Sequence, residues 1–539
     1  MADVTRGGLV SASMPANATV SGVELDMENF TTIRFGQDKR IDEVARMLCS
    51  SLIPPIRMLD RPELKYVRFF LHVDLGADSF ATHSEHDLAK EQQHHVLRLA
   101  ERTLALPLGR ALFTFGSVTQ ITREAYIIPK MEFALSLQPQ NVVVYPEPGK
   151  IPFECLWWGD FHNGVAAGLR VSQSLKSVDS SWIKFNKPME LTPEHAGFIY
   201  ALGLTGHLKE MLTWNTFGYL TPKHDMTSIA VLLGLSAANV GSGNRHVAKL
   251  IAVHTPSMLP TPSVDLNVSL ITQAAALVGL GLLYMGSKRR HTAELCLAQI
   301  SRKDLVQPDL SNEHREAYTI AAALAFGMVM LGKGSSVPAD IQMVERLRML
   351  VHGEGPVSKK ERLSFDINLT SPAAAMALGL MYLRTDRGDI ADILSIPDTT
   401  LGLNRVQPHF LLIRTLARAL IMFSSVEPNN DWLKAQIPPA ISNAMQGRLQ
   451  GQAVDDAFEL AYYNIIAGAC FAVALKHAGT AREEAYLLII GYYDMFSRLA
   501  YTNGSSTTPR IRLITDVTHN HYQALRSICE SNALRSGTA

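Results

Sequence analysis

A small residue returns at one register of an Ala/Leu-rich setting all along this chain. It is Gly168 in AAGL, Gly203 in ALGL, Gly234 in LLGL, Gly281 in GLGL, Gly327 in AFGM and Gly379 in ALGL, then Ala419 in ARAL and Ala474 in AVAL. The intervals between successive anchors are 35, 31, 47, 46, 52, 40 and 55 residues, the range of two-helix repeats with loops of variable length. Glycine inside a helix costs about 1 kcal/mol relative to alanine, so its return at one register needs a compensating gain. Close approach of neighbouring helices supplies one. Small residues four apart (Ala275 and Gly279, Ala321 and Ala325, Ala375 and Gly379, Gly468 and Ala472) place further small side chains on a shared helix face. The unit at Ala419 is the most degenerate.

The turns after these helices repeat as well. Gly241-Ser242, Gly286-Ser287 and Gly479-Thr480 each offer a residue that tolerates positive φ at a helix end, then a hydroxyl suited to start the next helix. Thr480 and Glu483 have capping-box spacing. The following helices read as amphipathic, with Ala293, Leu295, Leu297 and Ile300 on one face and Tyr486, Leu487 and Ile490 on another. A core that grows by stacking repeats also explains how 539 residues with 47% hydrophobic content form one architecture instead of several globular domains.

Ahead of the repeats the chain is different in character. Residues 1–32 are small and polar without periodicity, and predict a flexible arm. Residues 33–160 predict short helices, one starting near Ile41 and one spanning 85–105, followed by a proline-rich connection over 127–158 with β-prone pieces such as Val142, Val143 and Val144. The repeats occupy 161–502, and 503–539 is a divergent tail.

Several function classes are disfavoured. Fifty basic residues against fifty acidic ones give no net charge to capture nucleic acid or an anionic membrane. Uninterrupted apolar runs such as 274–285, 320–331 and 465–475 reach about half the ~20 residues of a membrane-spanning helix. No secretory signal is read at the amino terminus, and five scattered cysteines form neither a disulfide framework nor a zinc pair. Gly327 to Lys333 fills the first seven positions of a phosphate-binding loop, but the eighth is Gly334 where a hydroxyl should meet magnesium. Gly279 and Gly281 hint at a dinucleotide loop without its strand or third glycine. His83, His86, His94 and His95 lack metal-ligand spacing and read as a solvated helix face. Asp455, Asp456 and Glu459 read as the charged first turn of a helix. No catalytic residue, cofactor site or metal site is expected.

FHNGVAAGLR (161–170), MTSIAVLLGLSAANVGS (226–242), the run from LNVSL to CLAQI (266–300), HFLLIRTLARALI (409–421) and IIAGACFAVALKHAGT (465–480) resemble the family of largest scaffold subunits, subunit 1, of the anaphase-promoting complex or cyclosome. IRFGQDKRIDEVARML (33–48) and RTLALPLGRALFTF (102–115) resemble the segment before that family's repeats. The resemblance runs in order over residues 33 to 500. It lacks the family's amino-terminal β-propeller region and fades past 502.

The resemblance implies an all-α fold: an α/α toroid, closed or partly closed, of proteasome/cyclosome repeats, with further repeats expected before a ring closes. It implies a non-catalytic scaffold of a multi-subunit ubiquitin ligase that controls the metaphase–anaphase transition and mitotic exit, in nucleus and cytoplasm. Implied partners are cullin-like, Doc-domain and tetratricopeptide-repeat subunits and, indirectly, a coactivator and substrates; nucleic acid and membrane are not among them. Two alternatives stay open at this level: a scaffold of the proteasome regulatory particle, which shares the repeat type, and an enzyme built on an α/α ring.

Overall fold

The computed structural model describes residues 125, 126, 128, 135–137, 142–144, 153–171, 173, 175–211, 213–259, 267–302, 311–337, 342–353, 365–449, 454–478, 480, 482–502, 517, 521 and 525. The arm, the helices expected near Ile41 and over 85–105, the histidine cluster, Gly479 and nearly all of the tail lie outside them. Two compact units divide at 238/239, inside the stretch whose periodicity reads as one run of repeats.

The described residues of the first unit include two short strands, β1 (Leu135–Leu137) and β2 (Val142–Val144), paired antiparallel with Leu135 opposite Val144. Five helices follow: α1 (Phe153–Leu169), α2 (Ser180–Phe185), α3 (Pro193–Leu204), α4 (Thr213–Leu220) and α5 (Asp225–Ala238). Helix α1 starts inside the stretch expected to be a connection. Pro152 directly precedes it, and proline obstructs a helix only from within, not at its start. The anchor helices α1, α3 and α5 pack in chain order, while α2 and α4 flank them. Thr192 accepts from the His195 N–H and Pro193 holds the first helical position, so local sequence sets where α3 begins.

What α1 and α3 share is backbone contact. A Cβ on Gly164 would collide with the Glu194 carbonyl, and one on Gly197 with the Phe161 carbonyl. One turn on, a Cβ on Gly168 would lie 2.6 Å from Ala201 Cβ. Between α3 and α5, a Cβ on Gly203 would land on the backbone of Gly234. Tyr126 completes this core, stacking on Phe198 at 5.0 Å and donating its hydroxyl to the Ala167 carbonyl at 2.8 Å.

The second unit holds α6 (Arg245–Val253), α7 (Leu270–Leu283), α8 (Arg290–Ile300), α9 (Asn312–Val329), α10 (Met343–His352), α11 (Ile367–Met381), α12 (Gly388–Ala391), α13 (Thr400–Val406), α14 (Leu411–Ile421), α15 (Asn430–Ala435), α16 (Pro439–Leu449), α17 (Asp456–Lys476) and α18 (Glu483–Thr502). Here α7, α9, α11, α14 and α17 are the anchor helices, each packed on the next, and this is the all-α repeat architecture that the spacing predicts. A Cβ on Gly281 would lie 2.6 Å from Ala325 Cα, and one on Gly379 2.9 Å from Ala417 Cα. Around Ala419 the repeat is degenerate in structure too. Its flanking position is split into α12, a 3₁₀ turn at Asp392–Leu394 and α13.

Two sequence expectations need correction in this unit. Helix α18 buries Ala485, Leu488, Ile489 and Phe496, whereas Tyr486 and Leu487 of the expected face are exposed. Apolar residues at 485–490 occur in an unbroken run, so periodicity alone could not choose the face. Helix α17, expected as an eleven-residue apolar run, is 21 residues long and is long and apolar enough to cross a membrane, yet 72% of its apolar stretch is buried within the structure. It is the central helix of its own repeat, packed on α14 and capped by Asp455 with Asp456 and Glu459 in its first turn.

Burial also sets a pH sensitivity in the first unit. His162 is 4% exposed and His195 5%, and burial pushes both down to about 4, aided for His195 by the Lys187 charge. The His162 ring lies against Trp158 and has no hydrogen-bond partner among the described residues; His195 Nε2 lies 3.3 Å from the Tyr219 hydroxyl.

Two outcomes follow from this packing. Gly281→Leu lowers folding stability by about 3 kcal/mol or more, because the new side chain meets backbone, which cannot swing aside; thermal or urea melting reads it. For the histidines, the unfolded chain takes up protons below about pH 6.5 while the folded one does not until about pH 4. Stability is therefore intact above 6.5 and falls as pH drops, by about 2 kcal/mol per histidine at pH 5. Melting at pH 7 and pH 5 measures the loss, which shrinks in His162→Phe.

Candidate functional site: the seam between repeats

In a protein without an expected catalytic set, the working feature is what couples one repeat to the next. The second unit has a polar seam at the C-terminal ends of its anchor helices. The last carbonyls of an α-helix have no partner inside it. Here they accept from the turn of the preceding repeat.

The Gly241 and Gly243 N–H groups donate to the Leu282 and Leu283 carbonyls of α7 at 3.0 and 3.1 Å. After α7, Gly286 and Lys288 donate to Met328 and Val329 of α9 at 2.9 and 3.1 Å. After α9, Gly332 donates to Leu380 of α11 at 3.0 Å, and after α11, Arg384 and Asp386 donate to Leu420 and Ile421 of α14, both at 3.0 Å. Donors five and seven residues past one anchor thus meet carbonyls one and two residues past the next. At Gly241 the turn starts two residues later in register.

Presenting two N–H groups on one side requires left-handed backbone. Gly286 (φ 66°) and Lys288 (54°), like Arg384 (60°) and Asp386 (51°), flank a single intervening residue. A left-handed conformation costs a non-glycine residue about 1–2 kcal/mol, so three side chains are held there by the seam bonds. The side chains at these places pack over the joint: Arg384 lies 4.5 Å above the Phe423 ring, and Arg289 4.7 Å above Tyr284.

Between α14 and α17 the seam changes chemistry. Lys476, in the last turn of α17, donates its Nζ to the Ser424 carbonyl at 2.9 Å and the Val426 carbonyl at 2.6 Å. Asp386 accepts from the Ser424 N–H at 3.2 Å and from its hydroxyl. A side-chain ammonium replaces the backbone rung, and its charge suits a helix C-terminus.

Of the expected turn residues, Gly241 and Gly286 take the positive φ predicted for them, while the hydroxyls that follow behave differently. Ser242 and Ser287 donate back to the Asn239 and Tyr284 carbonyls at 2.8 and 2.7 Å. The residue at the N-cap is Asn244 for α6 and Arg289 for α8, two positions on. Thr480 likewise donates to His477, and α18 begins at Glu483 itself, so no capping box forms. The left-handed turn spans two more residues than a direct helix-to-helix turn, which moves the hydroxyl out of capping reach.

Six of the eight anchors, Gly168, Gly203, Gly234, Gly281, Gly327 and Gly379, lie in close helix contacts of this kind. Ala419 and Ala474 are buried, but in the last anchor helix the tight approach falls at Gly468, where a Cβ would lie 2.5 Å from the Leu412 carbonyl oxygen. Gly164, Gly197 and Gly468 are the close contacts that the anchor register passes over; small residues four apart point to Gly468, and Gly164 stands four before Gly168. Gly327 lies within α9 and Gly332 in the seam turn, so the phosphate-loop spelling is a helix end. Gly279 and Gly281 are mid-helix in α7. No cluster of three or more metal-ligating residues occurs among the described residues, and burial pushes the Cys296 thiol up to about 12.

The family description APC1 fifth domain matches residues 245–531, more than half of the chain, and APC1 fourth domain matches residues 30–240. The chain belongs to the APC1 family. The boundary between the two matched APC1 domains falls within a few residues of the division at 238/239. Relatives include the negative regulator of mitosis of Emericella nidulans, 35% identical over 90% of this chain and 22% of its own length. Anaphase-promoting complex subunit 1 of Homo sapiens is 35% identical over 88% of this chain and 25% of its own, and that of Schizosaccharomyces pombe 35% over 93% and 32%. The chain thus spans about a quarter of the length of the curated APC1 relatives it matches.

The seam sets two opposite expectations. Gly286→Ala loses about 1 kcal/mol, because a Cβ there meets no atom within 4 Å and only the left-handed backbone resists it. Lys288→Gly is neutral or stabilising by up to about 1 kcal/mol, since the strain goes while the bond to Val329 stays. Chemical denaturation of the two variants checks both signs.

Proposed function

We propose that this chain is the repeat-bearing part of a scaffold subunit of the anaphase-promoting complex, a ubiquitin ligase that controls the metaphase–anaphase transition and mitotic exit. The observation that carries the reading is the pair of APC1 domain matches, 30–240 and 245–531, laid over helices joined by a backbone seam. A seam of short backbone bonds holds repeats in fixed register, and a fixed register is what a scaffold needs to present several subunits at once.

In this reading the chain carries out no chemistry. Ubiquitin transfer belongs to separate cullin-like and RING chains, and this one positions the cullin-like, Doc-domain and tetratricopeptide-repeat subunits and, through the assembly, a coactivator with its substrate. Nucleus and cytoplasm are its proposed locations. The proteasome-scaffold alternative is not favoured, since the named relatives are subunits of the anaphase-promoting complex and a mitotic regulator. The α/α-ring enzyme alternative loses its ground in the Gly/Ala contacts, which close the space between anchor helices instead of opening an active site.

Affinity purification of the tagged chain from dividing cells, read by mass spectrometry, tests this. Cullin-like, Doc-domain and tetratricopeptide subunits are expected to come with it. Proteasome subunits in their place, or no stable partner, would overturn the proposal.

A further inference from the structure

Opposite the seam, where α11 and α14 begin, lies a cleft of about 230 Å³. The end of α10 supplies Val351 and His352, the first turns of α11 supply Asn368 and Ser371, and Arg405 of α13 stands at the mouth. Arg414, in the first turn of α14, lines the cleft and is only 3% exposed.

Arg414 is poorly satisfied for a buried cation. Its Nη1 reaches the Ser395 carbonyl at 3.3 Å and its Nη2 the Val351 carbonyl at 3.5 Å, both long, and its Nε has no partner among the described residues. Burial alone moves its pKa, down to about 10, so it stays charged at neutral pH with no carboxylate acting on it. A guanidinium buried without a counter-charge is strongly destabilising, and such a group calls for an explanation.

Among the described residues that line the cleft there is no carboxylate. Asp366 caps α11 through the Asn368 N–H at 2.9 Å and does not line the cleft. The Asn368 side-chain oxygen already accepts from Gln407 at 2.7 Å. Pro372, one turn into α11, cannot return the helix bond to the Asn368 carbonyl. The Ser371 hydroxyl makes no hydrogen bond to any described residue although the residue is 6% exposed. The cleft thus combines a cation with no anion and a hydroxyl with no partner among the described residues, the N-terminal end of a 15-residue helix and a second arginine at the mouth.

We propose that this cleft binds a carboxylate carried on a peptide, either an acidic side chain or a chain terminus, with its oxygens toward Arg414 and Ser371. Two of the five guanidinium N–H groups already serve carbonyls, which leaves three that, with the Ser371 hydroxyl, suit the two oxygens of a carboxylate. The volume favours a peptide over a free ion, since 230 Å³ is several times the ~30 Å³ share of one water. Ile367, Val406 and Phe410 give apolar walls for the stem that carries the charge. This site does not depend on the scaffold reading.

The test titrates the 539-residue chain with fluorescent heptapeptide libraries by anisotropy. Three libraries have amidated ends and a fixed central Glu, Gln or phosphoserine; a fourth has central Gln and a free terminal carboxylate. The Glu or the free-terminus library binds about tenfold more tightly than amidated Gln, and whichever does so identifies the source of the carboxylate. The preference weakens in Arg405→Gln and Ser371→Ala and disappears in Arg414→Met, which melts no lower than the parent because an unpaired charge has gone. Equal binding of all four libraries, tighter binding of phosphoserine, a preference that survives Arg414→Met, or a marked drop in its melting temperature would each overturn the proposal. If Arg414→Met gives no folded protein, its lost stability already does so.

Discussion

Everything in this fold hangs on how near one helix backbone can come to the next. At Gly164, Gly197, Gly203 and Gly281 there is no room for a single carbon beyond Cα, and the atoms on the far side belong to main chain. Main chain cannot rotate out of the way, so these positions set the distance between repeats instead of adapting to it. Larger side chains such as Phe198, Phe326 and Leu277 then fill volumes that the close approach has already defined.

That short distance makes the second interaction possible. A turn can reach the final carbonyls of the neighbouring helix only when the helices are nearly in contact, and each rung from Gly241 to Asp386 depends on a glycine or alanine contact in the helices it joins. Packing and hydrogen bonding therefore fail together: a bulky residue at Gly281 both strains the core and draws Gly286 away from Met328. The joint at Lys476 is looser in kind, since a flexible side chain spans what elsewhere is rigid backbone.

Much of this was legible in the residues, for reasons that differ from feature to feature. Glycine in an apolar helix is expensive, so Gly203, Gly281 and Gly379 announced close contacts, and Gly241 and Gly286 announced left-handed turns. The residues that hold the same backbone without being glycine, Lys288, Arg384 and Asp386, carried no such mark, because their strain is offset by bonds to a neighbour distant in sequence. The buried face of α18 was ambiguous since apolar residues run unbroken from Ala485 to Ile490. Arg414 was hidden for a similar reason: within HFLLIRTLARALI it reads as the polar side of an amphipathic helix, and only the fold turns that side inward.

The seam also has a direction. Among the described residues every backbone rung runs from a turn earlier in the chain to carbonyls later in it, and none is returned. During synthesis the turn of one repeat thus leaves the ribosome before the helix whose carbonyls it serves, and its strained left-handed backbone is held only once that helix arrives. Each turn of the seam is therefore completed by the repeat that follows it. A circular permutation that placed the later helix first would reverse that order.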